Sequence, residues 1–188
     1  GCSENPDIMF VFINPTSKNV SSSPSWNGPR IPFLGTKKVW KIFNEAGFLS
    51  DKLNNLIQSK KPHEWDVYFA NEVINELKNN RLFFTNIVKY TGEDATLPDS
   101  NMISLFLPYF LREIEIVKPK LIVTFGLIPF KALTDEDIKL KDYYEEFIKR
   151  NIKYYSVQGI QLIPCYFPVG RGEPRKAIEM LKVVKVLV

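Results

Sequence analysis

Histidine occurs once in this chain, at position 63, and cysteine twice, at Cys2 and Cys165. Two cysteines cannot build a disulfide framework, a four-cysteine zinc site or a four-cysteine iron–sulfur cluster. One histidine excludes multi-histidine metal centres. Any imidazole acid–base scheme would have to run through His63, which lies in a charged helix entry, KKPHEW. The longest apolar stretch, LIVTFGLIPF, has ten residues, about half of what a bilayer span requires. There is no internal repeat, no Walker lysine pattern and no G-x-G-x-x-G, which argues against the common nucleotide cofactors. No signal-peptide pattern is visible. We expect a protein without cofactor or metal, in a reducing, cytoplasmic, prokaryote-like setting, with no membrane partner and acting as a monomer.

What is present suits one globular unit. The 188 residues are 45% hydrophobic and 24% charged, which fits a single domain over residues 1–188 with a full core. Aromatic residues reach 13%, including 14 Phe and 8 Tyr, enough to leave flat rings for a binding site. Lysine and arginine number 25 against 21 acidic residues, a net +4, which permits a polyanionic partner without requiring one.

Short apolar runs alternate with helical segments. IMFVFI (8–13), RLFFTNIV (81–88), KLIVTFG (120–126) and GIQLIPCYF (159–167) are continuous rather than alternating. That pattern marks strands covered on both faces, hence a parallel sheet. YYSV (154–157) reads as a further short edge strand. Between them, TKKVWKIFNEAGF sets Val39, Ile42, Phe43 and Ala46 on one stripe. A second helix is expected from about residue 64 to 79. A third follows the caps Asp99 and Ser100, with Pro108 predicting a kink or a late start. A last helix is expected from 175 to about 186, after Pro174. The order β-α-α-β-α-β-α-β-α predicts a three-layer α/β/α fold around a central four-stranded, mostly parallel sheet. In such sheets ligands gather at the carboxyl ends of the strands.

Those ends carry Asn14-Pro15-Thr16-Ser17-Lys18-Asn19, then Thr85-Asn86-Ile87-Val88-Lys89, then Phe167-Pro168-Val169-Gly170-Arg171-Gly172. The set is amide, hydroxyl, cation and bare backbone, with hardly a carboxylate. It suits an anionic or neutral polar ligand better than a metal.

The same segments carry a resemblance. FVFINPTSKN followed by IPFLGTKKVWKIFNEAGF resembles the uracil-DNA glycosylase superfamily. Its I-N-P and W-K-x-x-x-x-A-G-F look most like the mismatch-specific uracil and thymine branch. Pro32-Phe33-Leu34-Gly35, FTNIVKY and REIEIVKPKLIVTFGLIPFKAL resemble the bacterial and archaeal iron–sulfur branch, without its cluster cysteines. LIPCYFPVGRG sits where these enzymes carry L-P-x-x-H-P-S, so Phe167 stands in place of the motif histidine. The tyrosine that excludes the thymine methyl in the strictest uracil enzymes corresponds to Thr16.

The resemblance implies a monofunctional DNA glycosylase that hydrolyses the N-glycosidic bond of uracil, with mismatched thymine and hypoxanthine open as substrates. Asn14 would hold the attacking water by accepting its hydrogen bond, although Asn14-Pro15 also reads as a plain turn. Phe33 would stack on an extruded base, or serve as a core ring. Asn86, with one donor and one acceptor, matches the uracil edge, or ties down the strand end. Ile13, Thr16 and Phe167 complete the implied base pocket. Ser17, Ser21, Ser22, Lys89, Gly170, Arg171, Gly172 and Arg175 are candidate DNA contacts, each also readable as ordinary surface. Two rivals stand beside this reading: a weak or inactive DNA-binding or modified-base-binding member of the same fold, and a small-molecule nucleotide or nucleoside enzyme.

Overall fold

A computed structural model of the chain describes residues 1, 4–92, 96–170 and 172–188. Its strands are β1 (Ile8–Phe12), β2 (Leu82–Asn86), β3 (Leu121–Phe125), β4 (Tyr155–Val157) and β5 (Ile160–Cys165). Its helices are α1 (Lys38–Glu45), α2 (Asp51–Ser59), α3 (Val67–Asn79), α4 (Ser100–Val117), α5 (Leu127–Thr134), α6 (Leu140–Ile148) and α7 (Pro174–Leu187).

The sheet has five strands in the order β2-β1-β3-β5-β4. The four apolar runs form its parallel body, and β4 is added antiparallel to β5 at one edge. The sheet thus has one strand more than the expected four, and it is the short edge strand read at YYSV; only its Tyr155 and Val157 face inward. β1 and β3 are buried at every position, as sheet interiors flanked by helices on both faces must be.

On one face the rings of Phe10, Phe43, Phe48 and Phe84 meet edge-on or tilted, and Trp40 stacks on Phe84. That face carries α1, which packs against α2 and α7. On the other face Thr85 of β2 reaches Glu113 of α4, and α4 packs beside α5. The result is the expected three-layer arrangement.

Helix starts follow local chemistry. Ser50, Asp66 and Asp99 cap α2, α3 and α4, each accepting a backbone N–H three residues on, which satisfies one of the donors left open in a first turn. α4 does not start late: it begins at Ser100 and runs through Pro108. Ser104 and Pro108 are both exposed, so water can serve the carbonyl that the proline leaves without a partner. Among the described residues no helix is long and apolar enough to cross a membrane.

At the amino ends of the strands, opposite their carboxyl edge, Asp7 joins three segments. Its carboxylate pairs with Lys120 at 2.8 Å and Arg81 at 3.2 Å, the residues just before β3 and β2. The hydrogen bond from Lys120, with the Arg81 guanidinium beside it, holds the Asp7 carboxyl below its ordinary pKa. A depressed carboxylate pKa gives stability that is complete above the unfolded value, near 4, and is lost as pH falls through the folded value. Asp7→Asn should therefore lower the thermal midpoint at pH 7. In melts at successive pH values the deficit should shrink below about pH 4.

Candidate active site

The carboxyl edge of the sheet presents, in spatial order, the ends of β2, β1, β3 and β5. β1 and β2 are in register with Phe12 beside Asn86. Beyond the strands, Ile87 and Val88 donate their backbone N–H groups to the carbonyls of Phe12 and Ile13. Asn14, two residues beyond Phe12, thus emerges level with Val88, one strand spacing across from Asn86 and about 7 Å further along the strand direction. Phe167 follows β5, two strand spacings from β1, roughly 10 Å, and its ring lies beside Gly126 at the end of β3.

Side chains alternate along a strand. Thr85 turns to Glu113 of α4, so Asn86 faces the opposite side, that of Phe84 and Phe12. Asn86 is only 8% exposed, and its amide makes no hydrogen bond among the described residues. The fully enclosed, unpartnered polar side-chain atoms among the described residues are Trp65 Nε1 and Thr124 Oγ1; the Asn86 amide is not one of them. It faces the same side as Phe33.

Phe33 is half-buried, and its ring meets Phe12 edge-on at 4.7 Å. Its φ of 69° is uncommon for a residue with a bulky side chain. The conformation is held through its carbonyl, which accepts from the Thr36 N–H (3.0 Å), the Thr36 hydroxyl (2.8 Å) and the Trp40 indole N–H (3.0 Å). Thr36 and Trp40 thereby fix the Phe33 loop beside Phe12. Neither role is visible from residue type alone.

Asn14 is the most constrained member. Its Nδ2 donates to the carbonyls of Pro15 (3.1 Å) and Thr96 (3.3 Å). Both partners are pure acceptors, so the nitrogen must face them and Oδ1 must point away. Among the described residues nothing donates to that oxygen.

The loop after β1 is ordered by a residue that sequence reasoning passed over. Asn19 is buried, donates from Nδ2 to the Ile31 carbonyl at 2.9 Å, and accepts from the N–H and hydroxyl of Ser21. Ser21 is itself buried, so its hydroxyl is committed inside the loop and not presented to a ligand. Ser22 donates to the Thr16 carbonyl at 3.0 Å, while Ser17 is exposed. Thr16 is half-buried and forms a parallel bridge with Gly92.

Lys89 is not a free cation. Its Nζ lies 2.6 Å from Glu113 and 2.6 Å from the Thr85 hydroxyl. Burial lowers its pKa, and the Glu113 carboxylate opposes that shift. In the last loop Gly170 is exposed with φ of 66°. At Gly172 a Cβ would fall 1.8 Å from the Phe167 carbonyl oxygen, so only glycine fits there. Arg175 is exposed in the first turn of α7, and Arg171 lies outside the described residues. His63 is exposed in the short turn before α3.

The family model for the uracil DNA glycosylase superfamily matches residues 1–182. The chain belongs to that superfamily. A type-4 uracil-DNA glycosylase of Pyrobaculum aerophilum is 34% identical over 117 residues, which cover 55% of this chain and 57% of that protein. One of Sulfurisphaera tokodaii is 30% identical over 98 residues, covering 50% and 43% respectively. The chain thus spans about half the length of the curated relatives it matches.

The iron–sulfur cluster found in one branch of the superfamily does not fit these residues. Cys165 is fully buried in β5, where burial pushes its thiol pKa up, and Cys2 lies outside the described residues. Two cysteines cannot supply a four-thiolate set. Among the described residues no three His, Cys, Asp or Glu side chains cluster as metal ligands.

Because the Ser21 hydroxyl serves the loop, Ser21→Ala should lower folding stability by about 1 kcal/mol. A urea titration should show an earlier midpoint at unchanged slope.

Proposed function

We propose that this chain is a monofunctional uracil-DNA glycosylase. Its DNA substrate would present an extruded uracil to the edge formed by β2, β1, β3 and β5. The observation that carries the reading is the Asn86 amide, without a hydrogen-bond partner among the described residues, on the same sheet face as the Phe33 ring and at the same carboxyl edge as Asn14.

The family membership and the names of the matched relatives support this chemistry, and the geometry supplies roles. Phe33 offers an aromatic face to a flipped pyrimidine, which compensates part of the lost stacking. Asn86 offers one acceptor and one donor, complementary to N3–H and O4 of uracil. Cytosine presents the reverse pattern and would leave the amide mismatched unless the amide flips; held in the uracil orientation, it discriminates by up to about 10⁴.

The N-glycosidic bond breaks through a sugar cation, so a strong base is unnecessary. Asn14 Oδ1 accepts a hydrogen bond from water and holds it for attack on that cation, while the amide nitrogen stays fixed to backbone. The water's proton passes to solvent or to the departing base; the amide does not take it. Phe167 gives the base no hydrogen bond, so departure relies on Asn86 and solvent. Without a lysine nucleophile in the pocket, the product is an abasic site in an uncut strand. Exposed Ser17, Arg175 and the backbone of Gly170 are positioned for phosphates, with Lys89 available only by leaving Glu113. Ile13 contributes backbone and apolar wall beneath Asn14.

Thr16 is smaller than tyrosine, so a 5-methyl group would be opposed by only about 1–3 kcal/mol. Thymine in a G·T mismatch, already poorly stacked, should therefore be removed slowly and thymine in A·T hardly at all.

Single-turnover assays on uracil-containing duplex test the reading. Asn14→Ala should lower the rate about 100-fold or more with DNA affinity unchanged. The parent's rate should stay flat across pH 6 to 7.5, because no imidazole takes part. Asn86→Asp should shift preference toward cytosine. Loss of the pH plateau that disappears with His63→Ala, or equal processing of cytosine and uracil by the parent, would overturn the assignment.

A further inference from the structure

The loop that follows β2 returns to β1 and touches the one side chain on which the water depends. Gly92 donates its N–H to the Pro15 carbonyl at 3.1 Å and bridges Thr16. Four residues later the Thr96 carbonyl accepts from Asn14 Nδ2. Gly92 lies between these contacts. A Cβ built on it would fall 2.8 Å from Asn14 Nδ2 and 3.0 Å from the Thr96 oxygen. Real Cβ atoms do not approach that closely, and both neighbours are held in place. Gly92 is not among the residues with positive φ, so backbone strain is not what demands glycine here. The demand is for space between an amide and the carbonyl that orients it.

We infer that Gly92 is a positioning residue: its missing side chain lets the Thr96 carbonyl seat the Asn14 amide and so aims Oδ1 at the water. This rests on the assignment of Asn14 as water holder. The Pro15 contact alone leaves the amide able to swing, because a single carbonyl next in sequence constrains one direction. Adding the carbonyl across the loop removes the flipped state, since an oxygen turned toward two carbonyls would gain nothing and face repulsion. Gly92 and Thr96 thus serve the catalytic apparatus without contributing a reactive group.

A double-variant cycle tests this with three readouts. Gly92→Ala should slow single-turnover uracil release about 100-fold, the scale of an ångström-sized misplacement, while DNA affinity holds. In an Asn14→Ala background, Gly92→Ala should cause no further slowing, because the group it displaces is gone. The Asn14 side-chain NH₂ resonance, identified by its disappearance in Asn14→Ala, should move in Gly92→Ala. The double variant should also recover thermal stability relative to Gly92→Ala alone, since the amide nearest the new Cβ is removed; if the single variant does not fold, folding of the double variant is the expected result. Equal fractional slowing in both backgrounds, an unmoved NH₂ resonance, or a double variant no more stable than the single would overturn the inference while leaving Asn14 in its role. If Asn14→Ala alone does not slow release, the assignment of Asn14 fails, and this inference with it.

Discussion

Phe12, the last residue of the central strand β1, is where the core ends and the site begins. Its ring stacks on Phe125 at 4.7 Å with planes 5° apart, and receives Phe33 edge-on at the same distance. Phe43 and Phe84 close its remaining sides. Aromatic pairs in these arrangements contribute beyond the area they bury. They fix β1, β2 and β3 and the Phe33 loop relative to one another. Because β1 lies between β2 and β3, the same packing that stabilises the sheet also sets where Asn14 and Asn86 emerge. The proposed base site continues the face of that aromatic cluster, with Asn86 following Phe84 on it.

This arrangement explains what was legible in the sequence. The four parallel strands announced themselves because burial on both faces demands unbroken apolar runs, as IMFVF and LIVTF show. Their carboxyl ends could then be read as a site before any geometry was known. Helices α2 and α6 escaped because they are short and bury few residues: Leu53, Asn54 and Ile57 in one, Tyr143 and Phe147 in the other. Two or three inward positions do not establish a period. Asp99 and Pro174 were legible as helix starts because capping is local chemistry.

The unread parts of the site share one physical cause. Asn14 meets Thr96 across 82 positions of chain, and through a backbone carbonyl that every residue possesses. Trp40 looks like a core anchor, and is one, yet its indole N–H also fixes the Phe33 carbonyl. Ser21 looks like a phosphate donor until its burial and its bond to Asn19 are seen. Residue type signals what a side chain can do; which group it does it with depends on long-range closure. Lys89 shows the same limit, since its charge is answered by Glu113 from a helix 24 positions away.

The proposed chemistry relies on oriented dipoles rather than on a titrating base. An amide pinned by two carbonyls, an aromatic face and an unpaired amide at the base edge are neutral groups. They act by being oriented before the substrate arrives, which spares reorganisation when charge separates. The most direct measurement is a crystal structure with duplex DNA whose uridine carries a fluorine on the sugar, so that the sugar cation cannot form. The uracil should lie on the Phe33 ring with its N3–O4 edge against Asn86 and a water on Asn14 Oδ1. A base bound elsewhere, or left stacked in the duplex with the pocket filled by protein, would contradict the account.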